Sequence, residues 1–169
     1  MQRGLIAGLS PAPLIAGGFM YEYKLNPAQK EFIEMPDHEY EIDVSLYQGG
    51  FGSGKTFSGS LLGIILCLKY AGIIGLVGAQ TLGLVRDTTL VSYKEHFDRM
   101  GLVYGRDWTE QKSENKIVFS NGSTILFRHF EEPDKLKSLN LGFVELEEMS
   151  DIPQSVSYTH LTLPTNSRV

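Results

Sequence analysis

Apolar positions along this chain fall into runs whose spacing changes from one segment to the next. Ala28, Phe32 and Met35 recur at intervals that place them on one face of a helix. Asn26-Pro27 gives that helix a start and Pro36 a stop. Ile42 to Tyr47 alternates apolar with polar residues, which predicts a strand leading into a glycine loop. From Lys55 to Tyr70 apolar residues cover most sides of a predicted helix, as burial against a sheet requires, and Gly72 ends it. Ile73 to Val77 predicts a short apolar strand, and Thr81 to Met100 a more charged amphipathic helix. Lys116 to Phe119 and Thr124 to Phe130 read as strands joined across Asn121-Gly122, a hairpin signal because both residues tolerate positive φ. Pro133 to Leu139 is a polar link, and Gly142 to Leu146 a last strand followed by Glu147-Glu148.

Alternating strands and helices predict an α/β fold. The sheet is expected to be central, largely parallel and flanked by helices, with one β-hairpin insertion. A length of 169 residues suffices for one domain around one core. Residues 20–154 carry the pattern. Residues 1–19 read as a loose tail or an over-extended start, with Met20 as the alternative first residue; Pro11 and Pro13 break what would otherwise resemble a leader. From Ser155 the pattern lapses, and residues 155–169 read as a non-native tail, the alternative being a Thr-rich strand. Leu61 to Ala79 is apolar but interrupted by Lys69-Tyr70, so a helix followed by a strand fits better than a membrane span.

A hydrophobic share of 42% and a charged share of 21% are those of an ordinary globular protein. The net charge of -5 provides no global basic field, so any contact with nucleic acid must come from local patches. The single cysteine, Cys67, sits in an apolar run and reads as a buried free thiol suited to a reducing compartment. The four histidines lack metal-ligand spacing, and there is no Ser/His/Asp signature.

The chemistry lies in two motifs. Gly49-Gly50-Phe51-Gly52-Ser53-Gly54-Lys55-Thr56 fulfils the G-x-x-x-x-G-K-[ST] pattern between a predicted strand and a predicted helix. Glycines let backbone N–H groups wrap around phosphates, and the helix N-terminus adds partial positive charge. Lys55 should reach the β- and γ-phosphates of a nucleoside triphosphate such as ATP, and the Thr56 hydroxyl should ligate Mg2+. The second motif is Phe143-Val144-Glu145-Leu146-Glu147-Glu148, an apolar strand ending in paired carboxylates. Alone it reads equally well as an acidic loop. With the phosphate loop upstream it reads as a Walker B site, in which Glu147 holds the Mg2+ shell and Glu148 orients or deprotonates the attacking water. Glu147 departs from the usual Asp, and Glu145 is an awkward charge for a buried strand.

Weaker signals complete the reading. Gln29 offers both a donor and an acceptor to an adenine edge, or simply faces solvent. Arg86, beside Asp87, reads as half of a surface salt bridge rather than a phosphate or DNA contact, and Tyr104 and Trp108 as core. A guanine-nucleotide enzyme is disfavoured because Asn115-Lys116-Ile117-Val118 lacks the guanine-reading Asp, and no lid or acceptor site points to a small-molecule kinase.

The order of these elements resembles the ATPase half of a tailed-phage terminase large subunit. The stretches that carry the resemblance are Leu25 to Phe32, the phosphate loop, Leu84 to Thr88, Lys135-Leu136-Lys137-Ser138-Leu139, and Phe143 to Ile152 with its Glu147-Glu148 pair. It covers roughly residues 20–153. It implies a P-loop NTPase of the ASCE, RecA-like kind that hydrolyses ATP with Mg2+ to drive double-stranded DNA into procapsids. It further implies a homo-oligomeric ring, portal protein and small terminase subunit as partners, and a place in the host cytoplasm. The nuclease domain that follows in such proteins is not within this sequence. The alternatives are another nucleic-acid-dependent ATPase of helicase-like or recombinase-like type, and a fragment that binds nucleotide without turnover.

Overall fold

The structure is a computed structural model that describes residues 23, 25–34, 47–50, 52–79, 81–129 and 140–147. The predicted strand at 42–47 lies outside these residues except for Tyr47, as do the tails at 1–19 and 155–169 and the link at 133–139.

Helix α1 spans Pro27–Glu34 and opens on a reciprocal cap. The Asn26 backbone N–H donates to Gln29 Oε1, and the Gln29 N–H donates to Asn26 Oδ1, both at 2.9 Å. Two N-terminal donors are thereby satisfied, while Pro27 has no N–H to satisfy. Helix α2 spans Lys55–Lys69. Its Ile64 and Cys67 join the main core, while Leu61 and Ile65 pack with Ile33 of α1, so it is covered on two sides as its sequence requires.

Strand β1, Ile74–Ala79, pairs in parallel with β4, Thr124–His129, on one side and β5, Phe143–Leu146, on the other. Strand β3, Lys116–Phe119, runs antiparallel to β4, and β2, Trp108–Gln111, antiparallel to β3. The order is β2-β3-β4-β1-β5. Among the described residues the sheet is thus mixed, with β4, β1 and β5 parallel, and an antiparallel extension of β3 and β2 that begins with the Asn121-Gly122 hairpin. Strand β2 was not foreseen: in Trp-Thr-Glu-Gln only Trp108 is buried, so it has almost no apolar pattern.

The Thr81 to Met100 helix is broken into three pieces. A single turn, α3 (Leu82–Leu84), leads into a π-helical turn over Val85–Thr89, and α4 follows over Leu90–Arg99. The wider turn is closed by the Leu90 N–H donating to the Val85 carbonyl. Tyr93 and Phe97 of α4 are fully buried and pack on Phe127, Phe119 and Trp108 of the sheet. Each fully buried aromatic or aliphatic side chain of this kind contributes ~1.5–3 kcal/mol. Trp108 is core, as expected. Tyr104 is not: it stands 62% exposed, with its ring edge against Trp108.

Strands β1, β4 and β5 all point the same way, so Ala79, His129 and Glu147 lie at one end of the sheet. Ligands of open α/β sheets bind outside this carboxyl end. Helix α2 starts there as well, since Thr56 meets Glu147.

Candidate nucleotide-binding site

The loop before α2 is shaped by its glycines. Gly52 and Gly54 take φ of +74° and +82°, left-handed values that a side chain would strain. Gly54 caps α2 without any side-chain hydrogen bond, so the first-turn N–H groups of a 15-residue helix face the loop with no capping side chain. Open space surrounds the Cβ positions of Gly50 and Gly52. Ser53 Oγ is buried with no hydrogen-bond partner. A cradle of backbone N–H groups containing an orphaned hydroxyl fits a polyphosphate.

Lys55 Nζ donates to the carbonyls of Gly49 and Gly50 at 2.8 and 3.0 Å. The ammonium is thus folded over the loop and held by the loop's own backbone. Thr56 Oγ1 donates to Glu147 Oε2 at 3.0 Å, across 91 residues of sequence. One contact joins the two motifs, and its donor set, a hydroxyl and a carboxylate, is what a hydrated Mg2+ takes.

Glu145 on β5 and Glu147, one residue past its end, lie two residues apart and share a face. That face looks onto α2. Two strand residues advance about 6.6 Å, and the three helix residues from Gly59 back to Thr56 advance about 4.5 Å. Glu147 therefore meets Thr56, while Glu145 lies beneath Gly59, whose missing Cβ makes room for its carboxyl. Tyr93 Oη donates to Glu145 Oε2 at 2.6 Å, and Glu145 Oε1 has no partner. Burial pushes the Glu145 carboxyl up to about 8; the nearby Glu147 charge also raises it, and the Tyr93 bond opposes the shift. The awkward charge of the sequence is thus a carboxyl held mainly protonated at neutral pH.

Three further expectations can be placed. Gln29 does reach the loop, its amide nitrogen lying against Gly54. Its carbonyl already accepts the Asn26 N–H, leaving one lone pair and the amide donor for an adenine edge. Arg86 makes no ion pair with Asp87, because neighbours in a helix point apart; its guanidinium donates to Asn115 Oδ1 instead. Cys67 is buried and unpaired with another cysteine. Phe51 and Glu148 lie outside the described residues. Sequence reasoning missed Tyr93 as the partner of Glu145; the available signal was Gly59 and Gly63, two side-chain-free positions four residues apart on α2.

The parallel strands β4-β1-β5, the glycine loop and the contact between the two motifs define an α/β domain of the P-loop fold. The family described as "Phage terminase large subunit" matches residues 41–165, and the chain belongs to that family. The match takes in residues 155–165, within the stretch that the sequence pattern set apart. The PBSX phage terminase large subunit of Bacillus subtilis (strain 168) is 28% identical over 130 residues, which are 76% of this chain and 28% of that protein. The chain therefore spans about a quarter of the length of that curated relative. Among solved structures, the large terminase of a thermophilic bacteriophage aligns with a TM-score of 0.65 at 17% identity, over 80% of this chain and 35% of that one. The ATPase domain of the Thermus phage P74-26 large terminase aligns with a TM-score of 0.64 at 20% identity, over 83% and 60% respectively. The first of these proteins has also been solved in complex with ADP, and that structure aligns with a TM-score of 0.64 at 17% identity, over 78% of this chain and 33% of that one. These structural likenesses establish the fold.

Proposed function

We propose that this chain is the ATP-hydrolysing part of a packaging motor that moves double-stranded viral DNA into procapsids. The observation that carries this reading is the Thr56–Glu147 hydrogen bond, which joins the phosphate loop to the acidic strand end. In this reading the N–H groups of residues 49–54 and Lys55 bind the triphosphate of ATP. Lys55 must first release the Gly49 and Gly50 carbonyls. Thr56 and Glu147 would hold Mg2+, directly or through water. Held there, the ion would supply positive charge to offset the negative charge of the phosphate oxygens. Glu148, the next residue, orients or deprotonates the attacking water. Gln29 borders the base.

The family supports double-stranded DNA as substrate, with a portal protein, a small terminase subunit and further copies of this protein as partners in the host cytoplasm. The test is the ATPase rate of the complete product of the reading frame that carries this chain, with and without DNA and procapsids. Hydrolysis stimulated by procapsids and abolished in Lys55→Ala supports the motor. Stimulation by DNA alone redirects the reading to a helicase-like enzyme, and absence of hydrolysis rejects turnover. Glu148→Gln should retain nucleotide and lose turnover; normal turnover in it rejects Glu148 as the catalytic carboxylate.

A further inference from the structure

A second concave site lies on the same end of the sheet, away from the phosphate loop. Strand β3 begins at Lys116 opposite Leu126 in the middle of β4, and the turn Lys112–Asn115 that precedes it lies against Phe127 and Arg128, toward the carboxyl end of β4 where the nucleotide site also opens. Between this turn and the helices is a pocket of about 360 Å³. Its walls hold Arg86, Lys94, Lys112 and Lys116, with Glu110 as the opposing charge, over a floor of Leu90, Ile117 and Phe127. Four cations against one carboxylate leave +3, and the Glu114 partner of Lys116 reduces this to +2. The chain as a whole carries -5, so this is a local reversal of its field. Apolar walls beneath like charges focus that field outward.

Two backbone irregularities meet at this pocket. The π-helical turn Val85–Thr89 presents Arg86, and Asn115 is the only non-glycine described residue with positive φ, at 47°. Their side chains are hydrogen-bonded to each other. Single π turns recur at functional sites, and a left-handed non-glycine residue persists only where its surroundings hold it. The surroundings here are visible: the Asn115 carbonyl accepts the Phe127 N–H at 2.8 Å, and Arg128 donates to the Glu114 carbonyl at 2.8 Å. Lys94 is held by Glu110 at 2.9 Å, while Lys112 stands exposed with no carboxylate partner among the described residues.

We infer that the Arg86–Lys94–Lys112–Lys116 pocket binds the phosphodiester backbone of double-stranded DNA, without reading its sequence. The inference rests on the motor reading for the choice of polymer, and on this pocket for the place. It puts the DNA contact on the nucleotide face, with β4 and β1 between β3 and the acidic end of β5. Two intervening strands correspond to roughly 14 Å between the sites at the usual strand spacing. Arg86 and Lys94 also belong to the same helical stretch as Tyr93, which bonds to Glu145 beside Glu147.

The experiment is duplex binding by fluorescence anisotropy, using a labelled DNA of about 30 base pairs and arbitrary sequence and the complete gene product, over a series of salt concentrations. Variants are Lys112→Gln and Arg86→Gln, with Arg106→Gln at the opposite end of β2 as the control cation. Removing one phosphate contact lowers the slope of log affinity against log salt by about 0.9. Each pocket variant should show about that reduction and bind severalfold more weakly at low salt, equally for unrelated sequences, with Arg106→Gln unchanged. Wild-type slopes in both pocket variants, or an equal reduction in Arg106→Gln, overturn the inference. A changed oligomeric mass by light scattering, with DNA affinity intact, overturns it in favour of an acidic protein partner. ATP hydrolysis is measured on the same samples. Hydrolysis with no slope change rejects the pocket and keeps the motor, whereas a slope change without hydrolysis in any sample, wild type included, keeps the pocket and rejects the motor.

Discussion

The Thr56 hydroxyl donates to the Glu147 carboxylate at 3.0 Å and draws the first turn of α2 onto the end of β5. Thr56→Ala removes the hydroxyl that both this contact and a bound Mg2+ would use. The Mg2+ concentration for half-maximal ATP hydrolysis should rise at least about tenfold, the scale on which metal affinity responds to changes around the ion. The chain itself should lose only about 1 kcal/mol in chemical denaturation, one ordinary hydrogen bond. An unchanged Mg2+ requirement removes Thr56 from the metal shell.

Gly63 of α2 faces the Tyr93 hydroxyl and the Phe143 ring, and a Cβ there would lie 3.3 Å from that ring and closer still to the hydroxyl. Tyr93 is fully buried and held by Glu145, so it cannot swing aside. Gly63→Ala should cost about 1–3 kcal/mol from overpacking, against the small gain in helix propensity. A denaturation midpoint at or above wild type would show that the helix shifts freely on the sheet.

Glu145 gives a stability profile of unusual sign. Its carboxyl is raised from 4.5 to about 8 in the folded chain, chiefly by burial. Below pH 4.5 both states hold the proton. Between 4.5 and 8 the unfolded chain releases it and the folded chain keeps it, so stability falls as pH rises, by at most about 1.4 kcal/mol per pH unit. Urea denaturation of wild type and Glu145→Gln across this window should show the slope only in wild type. Parallel profiles reject a buried proton at this position.

Acid acts through another group. His96 Nε2 donates to the Phe57 carbonyl at 2.9 Å, which leaves Nδ1 to accept from Tyr23 Oη at 3.1 Å. Burial lowers the His96 pKa below 6.5, which favours the neutral ring whose Nδ1 accepts this bond. Its contribution to stability is present above pH 6.5 and disappears as pH falls through the lowered value. His96→Gln should flatten the acid limb of the denaturation curve; an unchanged limb places the acid sensitivity elsewhere.

The parts of this molecule that can be read from sequence are those where one residue type has one physical use. Gly54-Lys55-Thr56 between a strand and a helix, the Asn121-Gly122 hairpin and the apolar α2 are legible for that reason. Strand β2 is not, because pairing with β3 and the single anchor Trp108 hold it rather than any alternation. The π-helical turn is invisible because nothing in Val85–Thr89 distinguishes a π turn from an α turn, and only the backbone bond to Leu90 marks it. Arg86 reads as the partner of its neighbour in sequence and bonds instead to Asn115, 29 residues on, a partner that only the fold supplies. Glu145 looks misplaced until Tyr93 and the space at Gly59 are seen together.

Cys67, the sole cysteine, is fully buried, and burial pushes its thiol up to about 12. Its carbonyl accepts from Asn121 Nδ2 at 2.7 Å and Ser123 Oγ at 3.0 Å, which fastens the end of α2 to the hairpin. Such a thiol cannot react while that fastening holds. The chain therefore carries its own opening gauge: the rate at which a disulfide reagent modifies it times the excursions that part helix from hairpin.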